Sequence, residues 1–111
     1  MDSILTTIKK LLGIEEDYPQ FDTDIIVYIN GVLMTLNQLG IGPEDGYAIF
    51  SSEETWNDYL GEATNIEAVK SYIYLKVRLI FDPPSVSSVI DAIGRQIAEL
   101  EWRLNIQVDT E

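Results

Sequence analysis

The chain contains neither cysteine nor histidine. Without Cys there is no disulfide framework and no thiol nucleophile, and without His as well the usual zinc, iron and copper ligand sets cannot be assembled. Long apolar runs are also missing: nothing approaches the ~18 consecutive apolar residues of a membrane span. The first apolar stretch follows Met1-Asp2-Ser3, with no basic region, and is broken by Thr6, Thr7, Lys9 and Lys10, so no secretory signal and no membrane association are expected. Basic residues are scarce and unevenly placed. Residues 11–69 hold twelve Asp and Glu and no Lys or Arg, while the rest of the chain is neutral, giving a formal net charge of −12. Such a field repels phosphate backbones, so specific nucleic-acid binding is not expected. Solubility and steering toward a basic protein surface both remain open as its purpose.

The residue inventory is equally thin for catalysis. Carboxylates, Lys, Tyr and Ser are what remain for acid, base or nucleophile. Glu15-Glu16-Asp17 and Glu53-Glu54 are neighbours in sequence, so their side chains diverge into solvent rather than converge on a substrate. Neither phosphate-binding glycine signature, G-x-x-x-x-G-K-[ST] or G-x-G-x-x-G, is present, and Glu44-Asp45-Gly46 lacks the upstream acids of a calcium loop. Lys70, Lys76 and Arg78 can be read as a small anion site, but snorkelling from a buried helix is the commoner cause of such a set. The expectation is a non-enzymatic protein with no cofactor, no metal and no catalytic residue.

What is present is helical periodicity. A hydrophobic fraction of 46% over 111 residues fits one domain, 1–111, with one core. Ser3 caps a first short helix with Ile4, Leu5, Ile8, Leu11 and Leu12 at helical spacing, stopped at Gly13. A linker, Glu15 to Gln20, leads to a second helix over Thr23 to Leu39, with Phe21 as a staple residue, Asp22 as N-cap and Gly40 as stop. Its core stripe is Ile25, Ile29, Val32, Leu33, Leu36 and Leu39. After a loop with a turn at Pro43-Glu44-Asp45-Gly46, Tyr47-Ala48-Ile49-Phe50 is a candidate short strand. Ser51 and Glu54 fit a capping box for a short third helix carrying Trp56, Tyr59 and Leu60. Asn65 caps the fourth helix, 66–81, which is apolar over most of its circumference and is therefore expected at the centre of the domain. Asp82-Pro83-Pro84 stops it.

The fifth helix, about Val86 to Leu104, has a narrow stripe from Val86, Val89, Ile90 and Ile93 to Ile97, Leu100 and Leu104. Its far side carries the charge ladder Asp91, Arg95, Glu99, Arg103, worth ~0.2 to 0.5 kcal/mol per pair. Residues 105–111 alternate Ile106 and Val108 with polar residues, which predicts an extended C-terminal tail. The fold class is thus all-α: a small bundle of about five helices around 66–81. Three apolar residues fall on otherwise polar helix faces, namely Val27, Met34 and Trp102. Together with Ile106 and Val108 they are the candidate interface with another subunit or a partner, since Trp is enriched among interface hot spots. Packing beneath a loop or the tail of the same chain is the competing explanation.

Two segments carry a resemblance. Lys70-Ser71-Tyr72-Ile73-Tyr74-Leu75-Lys76-Val77-Arg78-Leu79-Ile80-Phe81-Asp82-Pro83-Pro84 and Glu99-Leu100-Glu101-Trp102-Arg103-Leu104-Asn105 are similar to helices of head-tail connector (head completion, adaptor) proteins of tailed phages and prophages of Gram-positive bacteria. The likeness extends to Leu36-Asn37-Gln38-Leu39-Gly40-Ile41-Gly42-Pro43 and the region of Trp56. It implies a structural virion protein, made in the host cytoplasm and placed at the head-tail junction. Its implied partners are the portal protein and tail-side connector or stopper proteins. It also implies a homo-oligomeric ring in the virion, from subunits that are monomers when free, with DNA passing through the ring. The alternative function, from the charge alone, is a small acidic protein that inhibits or regulates a basic host protein.

Overall fold

The computed structural model of the protein describes residues 3–62 and 65–110, the side chains of 107–110 excepted. Five helices follow one another: α1 (Ile4–Leu11), α2 (Asp22–Gln38), α3 (Trp56–Leu60), α4 (Ile66–Phe81) and α5 (Ser87–Thr110). They form a plate of 39 × 35 × 19 Å, about two helix diameters thick. Helix α4 packs on α2, α5 and α1, so it is the central helix that its near-continuous apolar surface predicts. Val69, Tyr72, Ile73 and Val77 of α4 are fully enclosed. Against them lie Ile25, Ile29, Leu33 and Leu36 of α2, Ile4 and Ile8 of α1, and Leu104 of α5.

Local chemistry sets the helix ends. Ser3 caps α1, its Oγ accepting from the Thr6 N–H at 3.1 Å, and Gly13 takes φ 83° just beyond the helix, where a side chain would be strained. The α1–α2 linker is closed by a buried lysine. Lys9, 2% exposed, donates to the Glu16 carbonyl at 3.1 Å and the Tyr18 carbonyl at 2.9 Å, and pairs with Asp22 Oδ1 at 2.8 Å. Asp22 is therefore engaged across the linker rather than as an N-cap. Phe21 occupies the cap position without a side-chain bond and packs edge-on against Phe81, centroids 5.2 Å apart.

Three further expectations are corrected. No strand forms at Tyr47–Phe50; among the described residues the only β-pairing is the isolated bridge Ser3–Thr55. The main-chain groups of Ile49 bond to a side chain instead: Asn30 Nδ2 donates to the Ile49 carbonyl at 2.9 Å and Asn30 Oδ1 accepts its N–H at 2.8 Å. The third helix is capped by Thr55 with Asp58 and not by Ser51 with Glu54. Ser51 and Glu54 do bond, at 3.1 Å between the Ser51 N–H and Glu54 Oε1, but they shape the turn before the helix. The C-terminal segment is not extended either: α5 continues to Thr110, because nothing in Asn105 to Glu111 is a Gly or Pro that would stop it.

Candidate interaction surfaces

Helix α2 turns one side to the core and leaves the opposite side, Asp24, Val27, Gly31, Met34 and Gln38, exposed. Val27 is 61% and Met34 65% exposed. Between them stands Gly31, where an added Cβ would meet nothing within 4 Å. A glycine inside a helix costs roughly 0.5 to 1 kcal/mol relative to alanine, and no contact among the described residues requires one here. It leaves a notch in the outer face of α2.

Beside Met34 the face falls into a groove of about 460 Å³, lined by Asn30, Met34 and Asn37 of α2 and by Asp45, Tyr47 and Ala48 of the following loop. Its walls are held in place. Asn37 Nδ2 donates to the Pro43 carbonyl at 2.9 Å, the Asn30 amide holds Ile49, and Tyr47 stacks on the buried Tyr59 with centroids 5.1 Å apart. Gly42, with φ 89°, lets the loop press so closely on Tyr59 that a Cβ would come within 2.5 Å of the ring. Partial burial, and then the charges of Asp58 and Glu54, push the Tyr47 hydroxyl above its usual pKa, so it stays neutral. Glu54 shifts the other way: burial alone would raise it, but main-chain N–H groups and the Ser51 hydroxyl outweigh burial and hold the carboxyl below its ordinary value.

The outer face of α5 is the second surface. Trp102 is 64% exposed, and Ile106, one turn further along the same helix, is also exposed. With Gly94 and Ala98 they follow one another at four-residue steps, a ridge of two small residues and then two large apolar ones. The side chain of Val108 lies outside the described residues. The inner face is fixed to α4 by Leu104 and by the Tyr72 hydroxyl, which donates to Glu101 Oε2 at 2.6 Å. Burial, with the Glu101 bond and charge, keeps that phenol protonated far above neutral pH.

A third surface was not legible as such. Val86, Val89 and Ile90 continue the core stripe of α5 in sequence, and Ile80 lies in the core direction of α4, yet all four are exposed. They surround the corner where α4 gives way to α5, and none of the described elements covers them there, although Phe81 beside Ile80 still packs on Phe21. Helical periodicity gives the direction of a side chain and not whether another element reaches it, so no local signal marked these residues.

The basic residues divide sharply. Lys9 is buried; Lys70 lies over the Trp56 ring and pairs with Glu67, Lys76 lies over Tyr72, and Arg78 donates to the Tyr74 hydroxyl. Lys70, Lys76 and Arg78 thus lie along aromatic side chains of their own chain. Lys10, Arg95 and Arg103 are the exposed ones, and two of these three are on α5. Among the described residues no group of three or more Asp or Glu is placed to hold a metal ion, and no helix is long and apolar enough to cross a membrane.

No curated protein and no solved structure matches the chain. The family described as phage connector protein matches it over residues 4–111. That match spans all five helices and each of the surfaces above. The chain therefore belongs to the phage connector protein family, a structural connector of the virion that acts through contacts with other head and tail proteins of the phage.

Proposed function

We propose that the protein is a head-tail connector subunit that assembles as a ring beneath the portal, joins capsid to tail and completes the channel for DNA. The observation that carries this reading is the presence of three separate exposed apolar surfaces on one small domain: Val27 with Met34, Trp102 with Ile106, and the α4–α5 corner. A closed ring is built from heterologous contacts, in which each subunit offers one patch to the left and a different one to the right. The faces of α2 and α5 supply two unlike patches, and both helices pack on α4 between them. A subunit that also docks along the ring axis, to portal or to a tail-side component, needs a further surface, and the corner is available for it. The net charge of −12 suits a channel component, because an acidic lining lets a phosphate backbone pass without gripping it.

Negative-stain microscopy of the purified protein, alone and mixed with portal, tests this reading. Rings, or portal particles with an added ring beneath them, are expected. Portal particles unchanged by a large excess of the protein, with no rings in either sample, would overturn it.

A further inference from the structure

We infer that the groove between α2 and the 45–48 loop is the seat for Trp102 of a second copy of this chain. This rests on the ring reading above and adds which side chain enters which site.

Charge argues for a second copy as the occupant. The groove belongs to the part of the chain that carries twelve acids and no base, with Asp45 on its rim and the exposed Glu44 beside it. A partner must bring positive charge or pay for repulsion with every acid it approaches. In this chain the exposed bases are Lys10, Arg95 and Arg103, and the two arginines, alternating with the exposed Asp91 and Glu99, lie on the outer side of α5 that carries Trp102. Arg103 sits next to the indole in sequence and is held only by a loose 3.4 Å pair with the exposed Glu99. With Trp102 seated, it has Asp45 as a partner at the rim.

Size and shape agree. A volume of about 460 Å³ lies within the ~300 to 1,000 Å³ of clefts that take drug-sized molecules and is ample for an indole. The groove offers an apolar wall in Leu33 and Met34, the Tyr47 ring, and the side-chain amide of Asn37, whose oxygen is an acceptor suited to an indole N–H. The Gly31 notch on α2 and the Gly94–Ala98 stretch of α5 have no packing role within the chain, and both are where two helices approach closely if α5 of one copy lies along α2 of the next. Trp102 is anchored on a helix fixed by Leu104 and the Tyr72–Glu101 bond, so little ordering cost accompanies its insertion.

The test is charge exchange, read by light scattering against protein concentration and, in parallel, in the presence of portal. Trp102→Ala should weaken self-association about thirtyfold, the equivalent of about 2 kcal/mol. Asp45→Arg and Arg103→Glu should each weaken it about tenfold, and the double variant Asp45→Arg/Arg103→Glu should recover most of the loss. Tryptophan emission supplies an independent readout: Trp56 is already buried, so a blue shift on assembly reports Trp102. A parent that assembles while Trp102→Ala assembles equally well, or a double variant as weak as the sum of its singles, overturns the pairing and leaves the ring reading intact. A parent that stays monomeric at every concentration, with and without portal, removes the second copy as occupant and the ring with it.

Discussion

Replacing Lys9 by methionine keeps the aliphatic stem in the core and removes only the ammonium. Two hydrogen bonds are lost, at 3.1 Å to the Glu16 carbonyl and 2.9 Å to the Tyr18 carbonyl, together with the 2.8 Å ion pair to Asp22. Stranding one member of a fully buried ion pair costs roughly 3 to 5 kcal/mol, but this site is not fully buried on the acceptor side. Asp22 Oδ1 is itself enclosed, but its side chain as a whole is 30% exposed and the linker residues Glu16 and Tyr18 lie at the surface, so the carboxylate keeps part of its hydration. The expected loss is therefore nearer ~2 kcal/mol, in the range of charge-assisted hydrogen bonds. For a domain of this size that corresponds to a fall in Tm of roughly 8 °C, taking ~4 °C per kcal/mol. Circular dichroism melts at pH 7 are the assay, with Lys9→Ala as a second variant that loses the stem packing too and should melt lower still. If Lys9→Met melts within error of the parent, the linker is not held by this lysine and the account of how α1 is tied to α2 fails.

Ile73→Ala should cost ~2 to 5 kcal/mol through the cavity it leaves at the centre of α4, a large share of the ~5 to 15 kcal/mol typical of a whole domain; a urea melt indistinguishable from the parent would misplace the core. Glu54 has a folded pKa below its ordinary 4.5, so the stability it contributes is present above that value and fades as pH falls. Glu54→Gln should be less stable than the parent at pH 7 and converge with it as the pH falls below the ordinary carboxylate range, and a gap that does not change with pH would refute the assignment. Dialysis against chelator should leave Tm unchanged, since no metal-holding group exists among the described residues; a large drop would reveal a site that the fold does not account for.

Sequence periodicity located four of the five helices closely because each long helix buries one continuous stripe, and a stripe such as Ile25, Ile29, Val32, Leu33 and Leu36 is a direct imprint of the core. The centrality of 66–81 was legible for the same reason, from the width of its apolar face. Ends were harder. The sequence of 105–111 fits both a period of two and a continued helix, and over seven residues the apolar pattern cannot separate them; the absence of Gly or Pro after Leu104 was the better guide to the helix that runs on to Thr110. The Ser51–Glu54 signature was chemically real but belongs to the turn before α3, since Thr55–Asp58 makes the same box four residues further on, directly before Trp56. At the interaction surfaces, Val27, Met34 and Trp102 were legible as apolar residues on polar faces. The groove was not, because it depends on the 41–50 loop folding back against α2 through Asn30 and Asn37, contacts that span up to nineteen residues. The α4–α5 corner was hidden for a different reason: its residues fit a core pattern, and only the tertiary packing shows that the core stops short of them.

The central claim is that exposed apolar side chains of this connector serve assembly and not its own core, and it is tested most directly by separating folding from assembly in the same molecules. Met34→Asp and Trp102→Asp each place a charge at a position about two-thirds exposed, so neither should disturb packing within the chain. Circular dichroism and light scattering, on each variant alone and mixed with portal, give both quantities. The account predicts helicity and Tm close to the parent, with ring formation or portal docking lost. Variants that unfold, or variants that assemble and dock as the parent does, would contradict it.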